Sequence, residues 1–159
     1  MSRVSARSVA HETLVFERRV RASPEAVFAA YADVGVRTRW SAPSPTAAVV
    51  YSSADFRVDG VDSFRCGGVD DLRFAGVVRY LDILDGQRIV YCEVISTSEA
   101  RLSVSLVTWE LSTDGSGTRL VVTDQVTSFV GKEMIDGSRS GMTGALDNLA
   151  SLVNADGLP

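Results

Sequence analysis

The sequence predicts an α+β domain, an antiparallel sheet with one long C-terminal helix laid over a face. Three observations carry that prediction. A helix-start signal, Ser23-Pro24-Glu25, directly follows an alternating apolar and polar segment. Six further alternating segments then succeed one another at roughly ten-residue spacing with no helix between them. Last, Met142, Ala145, Leu146, Leu149, Leu152 and Val153 recur at three- and four-residue steps, the stripe of an amphipathic helix. Strands followed by a terminal helix give an α+β domain whose helix covers one sheet face.

The elements follow in order. Residues 13–21 alternate, with Leu14 and Phe16 on one side and charges on the other, and form the first strand. Ser23 is placed to cap a helix, Pro24 suits its first position, and Glu25 meets the positive end of its dipole. Val27, Phe28 and Tyr31 mark the apolar face of that short helix. Asp33 is expected to cap a second one ending near Trp40. The strand segments are expected at 47–53, 58–66, 72–81, 88–96, 100–111 and 118–129. Asp59-Gly60, Gly67-Gly68, Asp85-Gly86 and Asp114-Gly115 are read as turns, because Gly and Asp tolerate positive φ. Residues 131–137 read as a loop, with Asp136 or Ser138 as the cap of the long helix. Gly141 and Gly144 weaken that helix by about 1 kcal/mol each relative to Ala, which suggests close packing or a mobile helix end. Residues 1–12 and 155–159 read as tails around a single domain at 13–154.

Composition narrows the function. A net charge of −4 gives phosphate backbones nothing to bind, so nucleic acid is not an expected partner. Anionic membranes are disfavoured for the same reason, and no apolar run is long enough to span a bilayer. The first twelve residues hold no apolar core of a secretory signal, which points to the cytoplasm. His11 is the only histidine and falls in the expected tail. A histidine-based metal centre and a Ser-His-Asp triad are therefore not expected, and no cofactor is. Cys66 and Cys92 form no metal or redox motif and read as small buried hydrophobes.

The ordered set of local patterns resembles a known family. Val20-Arg21-Ala22-Ser23-Pro24-Glu25-Ala26-Val27-Phe28 at the first strand–helix join is followed by Arg39-Trp40 and by Asp55-Phe56-Arg57-Val58-Asp59-Gly60. Gly76 with Tyr80-Leu81-Asp82-Ile83, Arg88-Ile89-Val90-Tyr91, and Ser105-Leu106-Val107-Thr108-Trp109-Glu110-Leu111 come next. Gly117-Thr118-Arg119-Leu120 and the stretch 141–149 close it. The chain is similar to the SRPBCC (START-like) superfamily, in its branch of activator of heat-shock-protein ATPase (AHSA) homologues. The resemblance implies the helix-grip fold, a curved sheet wrapped around the long helix with an apolar cavity between them. It implies no particular reaction, since one fold hosts many functions. Three positions depart from the family. Asp59 stands where a glycine is frequent, Glu93 where an aromatic residue is, and Met142 where a tryptophan is.

Alternation indicates which residues face that cavity. Val107, Trp109 and Leu111 share one face of their strand; Leu120, Val122 and Asp124 share another, as do Ile89, Tyr91 and Glu93. The expected ligand-binding set is Trp40, Phe56, Phe64, Phe74, Tyr80, Tyr91, Glu93, Trp109, Val122, Asp124, Met142 and Leu146. Glu93, Asp124 and Tyr91 are the candidates for proton transfer, because burial raises a carboxyl pKa. Against that stands an ordinary structural use of each, at a strand end or beside an arginine. Tyr31, Tyr51 and Tyr80 are further phenols, and Trp40 is placed at the pocket mouth or as a core anchor. Arg57 either clamps a ligand carboxylate or pairs with a neighbouring acid. Three functions are compatible with these residues. The favoured one is a carrier or sensor for a small hydrophobic or aromatic molecule. The others are an enzyme of the polyketide cyclase or aromatase kind and a protein-interaction or co-chaperone module. A homodimer through a sheet edge or the helix loop is compatible with all three.

Overall fold

The computed structural model describes residues 9–154. The expected tail segments 1–8 and 155–159 lie outside the described residues. One seven-stranded antiparallel sheet carries the fold, in the order β1-β7-β6-β5-β4-β3-β2. Its strands are β1 (Ala10–Val20), β2 (Ala47–Ser53), β3 (Val61–Gly68), β4 (Asp71–Leu84), β5 (Arg88–Ser96), β6 (Arg101–Asp114) and β7 (Gly117–Ser128). Helices α1 (Pro24–Ala32) and α2 (Val34–Ser41) follow β1, and α3 (Lys132–Asn154) closes the chain. This is the helix-grip architecture, with α3 held in the concave face of the sheet.

The helix-start signals act as their chemistry dictates. Ser23 Oγ accepts from Ala26 N at 3.2 Å, and Asp33 Oδ1 accepts from Val36 N at 3.1 Å, so each cap satisfies an otherwise orphaned N–H. The β6–β7 connection is a two-residue turn at Gly115-Ser116, with Gly115 at φ +61°.

Several boundaries differ from the sequence expectation. The first strand begins at Ala10, so His11 is in β1 rather than a tail, opposite Thr127, whose Oγ1 lies 3.3 Å from its Nδ1. The third strand begins at Val61, not 58, because Arg57–Gly60 forms a tight turn closed by Gly60 N donating to Arg57 O at 2.8 Å. Gly67 and Gly68 are not a turn. They end β3 at a register shift, and Val69-Asp70 makes the hairpin. The long helix starts at Lys132, several residues before the expected caps. Ile135, seven residues before Met142, extends the apolar stripe and is 1% exposed. Its burial stabilises this early turn by roughly 2 kcal/mol. Cys66 and Cys92 are half-buried rather than buried: Cys66 faces inward, while Cys92 lies on the outer face between Arg79 and Leu106.

The helix does not cover the sheet evenly. α3 packs chiefly on β1, β7 and α2, and α1 on β6 and β7. The part of the concave face formed by β3, β4 and β5 is left with space above it.

Candidate functional site

That space is a cavity of about 550 Å³. Its floor is the inner face of the sheet, where Tyr91, Trp109, Phe64 and Val78 point in. α1 and α2 supply Tyr31, Arg37 and Trp40 to one wall. The first half of α3 supplies Met134, Gly137, Ser138, Gly141, Met142 and Ala145 to the other. Two features make room. A side chain at Gly76 would collide with the Phe64 ring, so glycine lets that ring lie flat against β4. Gly137 and Gly141 have nothing within 4 Å of where a Cβ would stand, so the helix wall is open there. Gly144 differs: a Cβ would stand 2.7 Å from Pro43 O, which sets α3 against the loop at the rim. Asn148 Nδ2 fastens the same loop by donating to Ala42 O at 2.7 Å.

Of the residues expected from sequence, Trp40, Phe64, Phe74, Tyr91, Glu93, Trp109, Asp124 and Met142 lie on the cavity wall. Phe56, Tyr80, Val122 and Leu146 do not. Phe56 packs among Phe28, Tyr31 and Tyr80, while Val122 and Leu146 are core residues at 0% and 1% exposure. Alternation assigns Val122 the right face, but it is covered there, and Leu146 lies on α3 where the helix packs on the sheet. Trp40 is both wall and anchor, since its indole N–H donates to Ala30 O at 3.0 Å. Arg57 clamps nothing in the cavity. It is exposed and pairs with Asp55 at 2.9 Å. Asp59 is exposed in the turn before β3 at φ +67°, away from the cavity and in a conformation that glycine adopts at less cost.

Two carboxyl groups without a basic partner, Glu93 and Asp124, face this largely apolar space. Burial pushes Glu93 up to about 7, and the charge of Asp124 adds to the rise. Asp124 is 5% exposed, and burial raises its pKa as well, partly offset by the Ser105 hydroxyl. Its Oδ1 has no hydrogen-bond partner. Tyr91 OH accepts from the Trp109 indole N–H at 3.4 Å, which leaves the phenol proton free, and burial holds that proton on. A protonated Glu93 can donate to a ligand oxygen; an ionised one can accept from a ligand N–H.

A second polar cluster at the cavity edge escaped the sequence reading. Arg37 of α2 and Asp62 of β3 are 2% and 1% exposed and lie 3.1 Å apart. Arg37 Nη1 donates to Tyr80 OH at 2.7 Å, Tyr80 OH donates to Asp62 Oδ2, and Asp62 Oδ1 accepts from Asp55 N at 2.7 Å. Because the Tyr80 proton is committed to Asp62, the Tyr31 hydroxyl 3.1 Å away is the donor of its contact with Tyr80. The guanidinium carbon stands 4.6 Å and 4.7 Å from the ring centroids of Tyr31 and Tyr51. The available signals were faint. Arg37 precedes Trp40 by three residues, one helical step, and Asp62 precedes Phe64 by two, one strand step. Among the described residues no group of three His, Cys, Asp or Glu side chains is placed to hold a metal ion, and no helix is long and apolar enough to cross a membrane.

Solved structures share this fold. A protein of Rhizobium loti is 34% identical, with 91% of this chain and 98% of that one covered and a TM-score of 0.79. A protein of Rhizobium leguminosarum is 30% identical, covering 92% and 96%, with a TM-score of 0.78. One from Chromobacterium violaceum shares the fold at 24% identity, covering 91% and 98%, with a TM-score of 0.79. No curated protein matches the chain. Residues 21–154 match the family model described as activator of Hsp90 ATPase homolog 1-like protein. With that match over nearly the whole sheet and all three helices, the chain belongs to the activator of Hsp90 ATPase homologue 1-like family.

Proposed function

We propose that the protein binds a small hydrophobic or aromatic molecule between sheet and helix, as a cytoplasmic carrier or sensor. The observation that carries this reading is the cavity itself, about 550 Å³ walled by two tryptophans, two phenylalanines and two methionines with a few inward polar groups. Sites for small molecules have this character, and an apolar body gains about 25 cal/mol for each Å² it removes from water. A protein-interaction role makes no use of such a space.

Both tryptophans of the chain, Trp40 and Trp109, line the cavity, so intrinsic fluorescence reports its occupancy. An environment-sensitive naphthalene dye is expected to bind saturably and quench them. Gly141→Leu, which projects a side chain into the open mouth, is expected to abolish that binding without altering the circular dichroism spectrum. Dye binding that persists unchanged in this variant places the ligand elsewhere and removes the reading. A second reading is proton-transfer chemistry of the polyketide cyclase or aromatase kind, favoured by a Glu93 carboxyl poised near neutrality. It requires that Glu93→Gln abolish turnover while dye binding survives.

A further inference from the structure

The charges lining the cavity do not balance. Four ionisable side chains other than phenols and a thiol reach it: Arg37, Asp62, Glu93 and Asp124. Arg37 is matched by Asp62 at 3.1 Å, and its Nη1 is engaged by Tyr80. Its Nε and Nη2 lack a hydrogen-bond partner and can offer N–H bonds to a neutral acceptor, but its charge is already matched by Asp62. Glu93 and Asp124 have no such counterpart, because Arg37 is the sole basic side chain on the described wall. They reach the cavity from β5 and β7, on either side of Ser105 and Val107 of β6. Asp124 is nine-tenths buried and more, yet its Oδ1 meets no donor. A buried acceptor left unsatisfied is costly, so a ligand that supplies the missing N–H gains twice, by hydrogen bond and by charge.

The remaining walls suit the same visitor. Tyr31, Tyr91, Trp40 and Trp109 form one aromatic cluster, with Tyr31 and Trp109 centroids 5.0 Å apart and Trp40 and Trp109 5.9 Å apart. Aromatic faces attract cations as well as apolar rings. A free carboxylate ligand would meet two acids and no available base. We propose that the cavity takes a compact hydrophobic amine, held as its ammonium ion by Asp124 and Glu93 with its apolar body against the Trp40 and Trp109 side. This rests on the cavity-binding reading above and specifies the ligand class.

A linked proton follows. The titratable groups facing Glu93 are Asp124 on β7, Tyr91 on β5, Cys66 on β3, Tyr51 on β2 and Tyr31 on α1; α3 presents no charged side chain to the cavity. Burial pushes Tyr31 up to about 12 and Cys66 up to about 11, so these stay neutral near pH 7. Ammonium binding favours the ionised carboxylates and drives a proton off Glu93.

The test uses three naphthalene probes of like shape, followed by tryptophan quenching and calorimetry. They are naphthylmethylamine, ethylnaphthalene and naphthylacetate. The amine is expected to bind about tenfold or more tighter than the neutral probe, with the anion weakest. Its affinity is expected to rise from about pH 6 to about pH 8, with proton release at the lower pH. Asp124→Asn is expected to erase most of the preference, read as the ratio of amine to neutral-probe affinity in the same variant. If the neutral or anionic probe binds as tightly as the amine to the wild-type protein, the amine inference is overturned and the cavity reading stands. If none of the three binds, both fall. A preference that survives Asp124→Asn combined with Glu93→Gln also overturns it. The wild-type comparison decides the matter even if a variant does not fold.

Discussion

Arg37 Nη2 lies 3.1 Å from Asp62 Oδ2, and the two side chains tie the second short helix to the third strand with almost no exposure to water. Two charges have been taken from water here, and their attraction offsets that cost only while both remain. The pair sits against Tyr31, a ring of the cavity wall, and is hydrogen-bonded to Tyr80, so its integrity sets the position of both.

Arg37→Leu leaves the Asp62 carboxylate buried without its cation. It is expected to lower stability by about 3–5 kcal/mol, read from urea unfolding near neutral pH. Arg37→Lys is expected to recover only part of this, since an ammonium cannot reach Tyr80 and Asp62 with a planar fork. A loss below about 1 kcal/mol in Arg37→Leu would show that the pair contributes no more than an exposed one.

Glu93 carries the pH dependence. Its folded pKa, about 7, lies above its ordinary 4.5, so the folded state holds the proton more tightly. The contribution of Glu93 to stability is therefore full below about pH 4.5 and falls as pH rises through 7. Asp124, shifted in the same direction, adds to the fall. Glu93→Gln is expected to leave thermal stability at about pH 5 unchanged and to raise it at about pH 8, by roughly 2–3 kcal/mol or several degrees of Tm. An equal effect at both pH values would rule out titration as the cause.

Two of the three glycines of α3 are expected to respond oppositely. Gly141→Ala adds a methyl in open space and gains helix propensity, stabilising by up to about 1 kcal/mol. Gly144→Ala drives a Cβ to 2.7 Å from Pro43 O and is expected to destabilise despite the same propensity gain. Melting curves of the two variants side by side check this, and a stabilised Gly144→Ala would show that the rim loop yields freely.

Much of the fold was legible because its signals are local. Ser23 and Asp33 announce their helices by the side-chain oxygen each offers to a nearby N–H. The start of α3 was not legible, because Ile135 belongs to the stripe only once β1 and β7 supply something to bury it against. The same holds at the site. Alternation puts Tyr91, Glu93, Trp109 and Asp124 on inward faces, and the structure has them there. Neither alternation nor the helical stripe can say which inward positions meet packed side chains and which meet space, and so Val122 of β7 and Leu146 of α3 were grouped with residues of the cavity.

By itself the sequence determined the order and type of the elements, the inward faces of the strands and the presence of Glu93 and Asp124 on them. These follow from periodicity, caps and turns, whose physics extends over a few residues. Only the tertiary structure decided that α3 leans on one side of the sheet, that a cavity remains over the other, and that Arg37 finds Asp62. Each depends on residues far apart in the chain, and the energy of burying a charge or leaving a void is settled only when those residues meet.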